Sequence, residues 1–176
     1  MRLKKFLLVR ALRRNAKLLS FVFDLDGVLT DGTFWYSKLG KELNRFGPHD
    51  AEALQKLKEY FEVNIISADK RGSDISKKRI SDIGLDLEIV SAKDRVNFIQ
   101  NIKVQNKKVV FIGDSQSDIP ALQVADFAFC PKDAFFSVHE NVDLTLLTEG
   151  GRGVAAEVLW IMKYCLKHER GFEGLE

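Results

Sequence analysis

Short apolar runs recur along the chain, and each is followed by a segment with helical spacing. The runs cover residues 20–24, 62–67, 86–90, 107–113 and 126–130. The segments that space their apolar residues like amphipathic helices cover 50–61, 72–84, 93–104, 117–124 and 153–167. This alternation predicts an α/β fold, with a Rossmann-like, doubly wound parallel sheet that helices cover on both faces.

One stretch departs from this alternation. Residues 33–37 and 41–46 are rich in Thr, Phe, Trp and Tyr, and they flank the sequence Lys38-Leu39-Gly40. Two short β-prone runs around a glycine-containing turn are typical of a β-hairpin. Because the hairpin comes directly after the first strand, we expect it to project from the carboxyl edge of the sheet.

Length and composition restrict the class of protein. The chain has 176 residues, of which 45% are hydrophobic and 30% charged, as in a single globular domain. Cys130 and Cys165 are too few and too far apart for a disulfide framework, so we expect a reducing, cytoplasmic location. We expect no integral membrane segment, because no apolar run has the length of a transmembrane helix.

Charge is distributed unevenly along the chain. Residues 1–20 contain seven basic residues and no acid, although the whole chain has a net charge of only +2. We therefore divide the chain into a basic N-terminal extension, residues 1–19, and a catalytic domain, residues 20–170. The extension is either a packed terminal helix or a tail that binds an anionic surface. Since the remainder is acidic, we expect no nucleic-acid partner.

Polar side chains follow four of the predicted strands. They are Asp24 and Asp26 after the first strand, Ser67 at the end of the second, Lys93 and Arg95 after the third, and Asp114 and Asp118 after the fourth. Each of these residues alone could be a helix cap or a turn residue. Together they lie where ligands bind in open α/β sheets, at the carboxyl ends of the strands.

These residue types suit phosphoryl transfer. Magnesium prefers oxygen ligands, and one carboxylate from each of two strand ends is a plausible protein share of its coordination. A carboxylate could attack phosphorus, while a serine hydroxyl and a basic side chain hold the phosphoryl oxygens. The remaining acid of the pair Asp24 and Asp26 could protonate the leaving oxygen.

At these motifs the chain resembles the haloacid dehalogenase-like (HAD) phosphatases, over roughly residues 20–160. The resemblance implies that Asp24, in "DLDGVLTDG", is the nucleophile and a Mg²⁺ ligand. It implies that Asp26 is the general acid and base and contacts the metal through its main-chain carbonyl. In the second motif, Ser67 would donate to the phosphoryl group. In "GDSQSD", Asp114 would bind Mg²⁺, with Asp118 supporting it.

The third motif and the gaps between the motifs extend this resemblance. The third-motif base is Arg95 if it directly precedes the apolar helix residue, and Lys93 if positions are counted from the strand end; we favour Arg95. The gaps between motifs hold only the hairpin, short helices and one short strand, so the resemblance implies a capless HAD-like fold.

The motifs "TDG" and "GGRG" and the aromatic hairpin resemble capless HAD phosphatases that act on phosphorylated 3-deoxy keto-sugar acids of eight or nine carbons. This implies a homotetramer in which the hairpins pack together. It also implies substrate contacts at four positions: Thr30, Ala68, Asp50 and Arg152. The Arg152 fork suits a substrate carboxylate, although "GGRG" could simply be a turn.

A different class of function remains open from the sequence. The C-terminal region of some sialic-acid cytidylyltransferases is a similar HAD-like module, and it is non-catalytic and serves oligomerisation. Such a module need not keep both acids at positions 24 and 26, whereas this chain has all four motifs. We therefore expect an enzyme.

Overall fold

The computed structural model describes residues 2–70, 72–167 and 169–175. Within them the chain forms eight strands: β1 (Leu19–Asp24), β2 (Thr30–Ser37), β3 (Gly40–Phe46), β4 (Glu62–Ser67), β5 (Leu87–Ile89), β6 (Lys108–Ile112), β7 (Phe127–Cys130) and β8 (Leu144–Thr145). Six of them form a parallel sheet in the order β5-β4-β1-β6-β7-β8. The strands β2 and β3 form the separate antiparallel hairpin.

Helices cover both faces of the sheet. They are α1 (Arg2–Arg14), α2 (His49–Lys58), α3 (Ser73–Asp82), α4 (Arg95–Lys103), α5 (Ile119–Val124) and α6 (Val154–Leu166). The central strand β1 is buried along its whole length. Its Phe21 and Phe23 pack in one apolar cluster with α2 and α6, while Val22 packs in a second cluster with α4 and α5. The predicted α/β fold, with a sheet covered on both sides, is confirmed.

The N-terminal helix is packed against the domain. Leu12 of α1 is fully buried in the same cluster as Phe21 and Met162, and Arg13 Nε donates a hydrogen bond of 2.7 Å to the carbonyl of Cys165. Met1 lies outside the described residues. The division of the chain at residues 19 and 20 stays a prediction.

The predicted elements differ from the observed ones mainly at their ends. Strand β8 was not predicted, because two residues are too few for an alternating pattern. Helix α5 begins only at Ile119, since a short 3₁₀ turn over Gln116–Asp118 precedes it. No cap domain interrupts the described residues between the motifs. None of the helices described in residues 2–70, 72–167 and 169–175 has the length and apolar character needed to cross a membrane.

The sheet order determines where a site can form. From β1 the chain continues outward through β4 and β5 on one side, and through β6, β7 and β8 on the other. Such a reversal leaves a crevice beyond the carboxyl ends of the central strands, where ligands bind in open α/β sheets. The first motif follows β1, the second ends β4 and the fourth follows β6, so these three motifs meet there.

Candidate active site

The first motif makes a sharp turn directly after β1. Asp24 ends the strand and is 3% exposed, and an irregular helical turn over Leu25–Leu29 follows it. Gly27 in this turn has a φ of +87°, in the left-handed region that favours glycine. A Cβ at this position would overlap the carboxylate of Asp114. The glycine therefore permits both the turn and the close approach of the fourth motif.

A buried ion pair joins the first and third motifs. Arg95 Nη2 donates a hydrogen bond of 2.9 Å to Asp24 Oδ1, and both side chains are 4% exposed. Arg95 Nη1 also forms an ion pair with Asp118 Oδ1, although this contact lacks hydrogen-bond geometry. Lys93 is exposed in the preceding turn and does not line the cleft. Of the two candidates for the third-motif base, only Arg95 contacts Asp24.

The fourth motif is organised by Asp118. Its Oδ2 accepts hydrogen bonds from the backbone N–H groups of Asp114 (3.2 Å) and Ser115 (2.9 Å) and from the Ser115 hydroxyl (2.7 Å). This capping holds the loop against the end of β6. Asp114 Oδ1 is buried and has no hydrogen-bond partner among the described residues. A buried acceptor without a partner is costly and calls for an explanation.

The acidic residues around this oxygen are consistent with a site for a divalent cation, which would satisfy it. Carboxylate oxygens of Asp24, Asp114 and Asp118 lie within 4.8 Å of one another, the one such acidic cluster among the described residues. Hard cations take oxygen ligands of this kind. Both carboxylate oxygens of Asp118 are already engaged, Oδ1 by Arg95 and Oδ2 by the backbone of its own loop. Asp24 and Asp114 are therefore the carboxylates of the cluster best able to bind a metal.

Burial dominates the electrostatics of these two carboxylates. It raises the pKa of Asp24 to about 7, although Arg95 acts in the opposite direction. It also raises the pKa of Asp114 to about 6, although the N–H group of Asp114's own backbone and the charge of Arg95 act in the opposite direction. Both ionised forms are therefore disfavoured in the protein alone, and a cation between them would favour both.

Ser67, at the end of β4, contacts the second acid of the first motif. Its hydroxyl donates a hydrogen bond of 2.8 Å to Asp26 Oδ2 and accepts one of 3.0 Å from the Asp69 N–H. Lys41 lies on the other side, with Nζ at 3.1 Å from Asp26 Oδ1 and 2.9 Å from Asp69 Oδ2. Burial acts to lower the pKa of Lys41, but hydrogen bonds to Asp69 and Asp26 outweigh it and leave that pKa raised.

Lys41 was not among the site residues predicted from the sequence. The sequence pointed to Lys41 only through its position in the hairpin, which was predicted to project from the edge of the sheet that carries Asp26. The hairpin also contains Lys38 and Arg45, and nothing in its pattern indicates which of the three bases faces the site. Lys38 is exposed at the tip, and Arg45 is exposed beside Asp31.

Both acids of the first motif, together with Lys41 and Arg95, line a cleft of about 370 Å³. Its lining residues are Asp24, Asp26, Gly32, Phe34, Tyr36, Lys41, Ala68, Asp69, Arg95 and Ser115. The hairpin forms one wall of the cleft and the loop after β4 another. Of the four predicted substrate contacts, only Ala68 lies in this lining.

The other three predicted contacts have different surroundings. The Thr30 hydroxyl is buried and accepts hydrogen bonds from the N–H groups of Gly27 and Gly32, at 3.1 and 3.2 Å. Asp50 is buried beneath the start of α6. Arg152 is exposed, pairs with Glu149 at 3.3 Å, and lines a separate cleft.

The sequence and the fold of the chain are similar to those of known phosphatases. No family model matches the chain. A 3-deoxy-D-manno-octulosonate 8-phosphate phosphatase, KdsC, from Haemophilus influenzae is 28% identical over 141 residues, which are 78% of each chain. The solved structure of a cobalt-bound form of that phosphatase (YrbI) from the same organism has a TM-score of 0.74 and 27% identity, and covers 87% of this chain and 90% of its own.

A second relative was solved with magnesium, phosphate and a sugar acid. The octulosonate 8-phosphate phosphatase from Moraxella catarrhalis, in complex with a magnesium ion, a phosphate ion and KDO, has a TM-score of 0.76 and 24% identity; it covers 94% of this chain and 95% of its own. At that identity the likeness shows the fold.

Fold, sequence and site agree on the class: the chain is a HAD-like phosphatase, and the residues that the structure describes contain no cap domain. Within that superfamily it resembles the KdsC phosphatases, also called YrbI, that act on 3-deoxy-D-manno-octulosonate 8-phosphate.

Proposed function

We propose that the chain is a magnesium-dependent phosphomonoesterase that acts through an aspartyl-phosphate on Asp24. The observation that carries this proposal is the arrangement around Asp24 at the end of β1. Its carboxylate accepts a hydrogen bond from the Arg95 guanidinium and has an oxygen within 4.8 Å of one of Asp114, whose buried Oδ1 has no partner among the described residues. A nucleophilic carboxylate needs such a cationic environment to approach an anionic phosphoryl group.

Asp24, Asp114 and the main-chain carbonyl of Asp26 would hold the magnesium ion. When bound, it supplies positive charge that neutralises the phosphoryl oxygens and lowers the repulsion between substrate and nucleophile. The relatives solved with cobalt and with magnesium support the choice of a divalent cation.

The residues of the chain then divide the chemistry between them. A carboxylate oxygen of Asp24 forms a bond to phosphorus as the bond from phosphorus to the leaving oxygen breaks, and Asp26 gives its proton to that oxygen. Asp26 next takes a proton from a water molecule, which attacks phosphorus and releases Asp24 and phosphate. Arg95 and Ser67 hold the phosphoryl oxygens during both steps.

The proposed substrate is a phosphorylated 3-deoxy keto-sugar acid, of the octulosonate 8-phosphate or nonulosonate 9-phosphate type. The names of the relatives support this choice, and a cleft of about 370 Å³ has room for the phosphoryl end of such a molecule. Ala68 is the substrate contact that the cleft favours. Arg152 would need a substrate or a second subunit that extends to its own cleft.

We also propose a homotetramer, in which hairpins of neighbouring subunits pack together and close the sites that no cap covers. Exposed apolar side chains on the hairpin support it: Phe34, Trp35, Tyr36, Leu39 and Leu43. A non-catalytic module would also explain an apolar hairpin, but it would not need the buried pair of Asp24 and Arg95. The cytoplasmic location and the lack of a nucleic-acid partner stay predictions.

The test is phosphate release from 3-deoxy-D-manno-octulosonate 8-phosphate, measured with magnesium and with a chelator. We expect Asp24→Asn to lose turnover by on the order of 10³-fold or more, because the amide is not a nucleophile. We expect Asp114→Asn to require about tenfold more magnesium, or more, for half-maximal activity. The matched control is Asp82→Asn, an exposed carboxylate on α3.

Three results would contradict the proposal. Near-normal turnover in Asp24→Asn would exclude covalent chemistry at that residue. An unchanged magnesium requirement in Asp114→Asn would exclude its role as a ligand. If only a hexose phosphate were hydrolysed, the assignment of the substrate would be wrong while the mechanism would stand.

A further inference from the structure

Lys41 has contacts that the proposed mechanism does not use. Its Nζ lies 3.1 Å from Asp26 Oδ1 and 2.9 Å from Asp69 Oδ2, and only 5% of the side chain is exposed. Asp26 Oδ2 accepts the hydrogen bond of the Ser67 hydroxyl at 2.8 Å. Each oxygen of the Asp26 carboxyl group is therefore held by a donor from a different element, Lys41 from the hairpin and Ser67 from β4.

The surroundings of Lys41 leave room for this side chain. A Cβ on Gly72, at the start of α3, would overlap the Cδ atom of Lys41. The ammonium group lies 5.2 Å from the centre of the Phe34 ring, a distance typical of a cation–π contact. The lysine stem thus passes between the hairpin and the loop after β4, and its charged end reaches the cleft.

Substrate binding changes which donor can hold Asp26. A serine hydroxyl has one proton to donate. If Ser67 donates that proton to a phosphoryl oxygen, as the proposed function requires, it no longer donates to Asp26 Oδ2. Lys41 is then the donor that remains on the Asp26 carboxyl group among the described residues.

We propose that Lys41 is a positioning residue that orients the Asp26 carboxyl group toward the leaving oxygen. The inference rests on the proposed function. In the first step the bond from Asp24 to phosphorus forms, the bond to the leaving oxygen breaks, and the proton of Asp26 moves to that oxygen. Asp26 is left as a carboxylate, and the Lys41 ammonium, which is already in place, stabilises that negative charge.

A pair of aryl phosphates separates this role from a structural one. Nitrophenolate leaves without help from an acid, whereas phenolate is more basic and gains more from protonation. We expect Lys41→Met to lower kcat/KM for phenyl phosphate by about 10- to 100-fold and for 4-nitrophenyl phosphate by about threefold or less. Any general effect on folding or on binding of the phosphoryl group lowers both values together and leaves their ratio unchanged.

Two further variants complete the design. Lys38→Met, at the exposed tip of the same hairpin, is the matched control and should keep the wild-type ratio. In an Asp26→Asn background, Lys41→Met should have no further effect on the ratio, because no acid is left to orient. If Lys41→Met does not fold, Lys41→Gln, which also removes the charge, replaces it.

The outcome separates this inference from the proposed function. An unchanged ratio in Lys41→Met, with Asp24→Asn inactive on both esters, overturns the role of Lys41 alone. If Asp24→Asn hydrolyses both esters at the wild-type rate, the proposed function itself fails. The assignment is supported if Lys41→Met raises the ratio of kcat/KM for 4-nitrophenyl phosphate to kcat/KM for phenyl phosphate in the otherwise wild-type protein, but does not change that ratio further in the Asp26→Asn background.

Discussion

At the scale of single residues, Arg95 illustrates what burial demands of a charged side chain. It is 4% exposed and contacts carboxylates from two motifs, Asp24 and Asp118. Burying a charge costs several kcal/mol unless partners compensate for it. A guanidinium group stays charged in such a place and offers a planar set of donors, whereas a buried lysine more easily loses its proton. Arg95 can therefore keep a permanent positive charge next to the nucleophile.

Gly27 allows a specific prediction at this scale. Its φ of +87° and the overlap that a Cβ would make with the Asp114 carboxylate both oppose any side chain. We expect Gly27→Ala to lose about 1–2 kcal/mol of stability through backbone strain and about 100-fold or more in kcat through displacement of Asp114. Thermal unfolding and phosphate release measure the two effects, and the magnesium requirement should rise together with the loss of kcat.

The matched control for Gly27→Ala is Gly84→Ala. Gly84 has a φ of +74°, and among the described residues no atom lies within 4 Å of the position of its Cβ. Its substitution should cost a similar 1–2 kcal/mol, or about 2–8 °C in Tm, and leave kcat unchanged. Equal losses of kcat in both variants would mean that Gly27 matters only for stability.

Some of these residues could be predicted from the sequence, and others could not. Asp24, Ser67 and Asp114 follow buried strands, so the fold alone brings them to one edge. The choice of Arg95 over Lys93 depended on a helix start, which is a local feature. Lys41 lies on a hairpin whose orientation is set by tertiary contacts, and the pattern of the hairpin does not determine them.

At the scale of elements, Asp50 connects two helices that are distant in sequence. It lies in the first turn of α2, and its carboxylate accepts hydrogen bonds from the backbone N–H groups of Gly153 (3.2 Å) and Ala155 (2.7 Å) at the start of α6. Anionic groups are favoured at helix N-termini, where backbone N–H groups lack partners within the helix. Asp50 thus caps α6 although it belongs to another helix. Because about 100 residues separate Asp50 from α6, this cap could not be predicted from a local sequence pattern.

The carboxyl group of Asp50 should make the free energy of unfolding depend on pH. Burial raises its pKa to about 6, against the effect of the backbone hydrogen bonds. Between about pH 4 and 6 the folded protein keeps this proton while the unfolded chain has lost it, so the group contributes less stability as pH rises. We expect the difference in free energy of unfolding between wild type and Asp50→Asn to fall by roughly 1–3 kcal/mol over this range. Urea unfolding at a series of pH values measures it.

Asp126 provides a comparison of opposite sign. Burial would raise its pKa, but hydrogen bonds from Lys108 and the Val109 N–H and the charge of Lys103 outweigh it and lower the pKa. The stability that Asp126 contributes is present above the pKa of the unfolded chain and is lost in acid. The difference between wild type and Asp126→Asn should therefore grow as pH rises toward 4. If both variants changed in the same direction, the assigned causes would be wrong.

At the scale of the whole molecule, the hairpin carries both the surface proposed for assembly and the proposed positioning residue Lys41. Its outer surface carries Trp35 and Leu43, which face each other across the two strands and are 55% and 58% exposed. The same hairpin carries Lys41, which reaches Asp26 in the cleft. Packing of the hairpins in a tetramer would therefore hold Lys41 in place as well as cover apolar surface. An isolated two-stranded hairpin is only marginally stable, so it benefits from such packing.

This connection predicts a joint loss of assembly and activity. We expect the double variant Trp35→Ser, Leu43→Ser to dissociate the proposed tetramer into folded monomers and to lower kcat/KM by about 10- to 100-fold, as positioning in the cleft is lost. Sedimentation mass, circular dichroism and phosphate release measure the three properties. The control is Val104→Ser, which is 83% exposed at the opposite edge of the sheet and should change none of them. A wild-type protein that sediments as an active monomer would contradict both the tetramer and its role in the site.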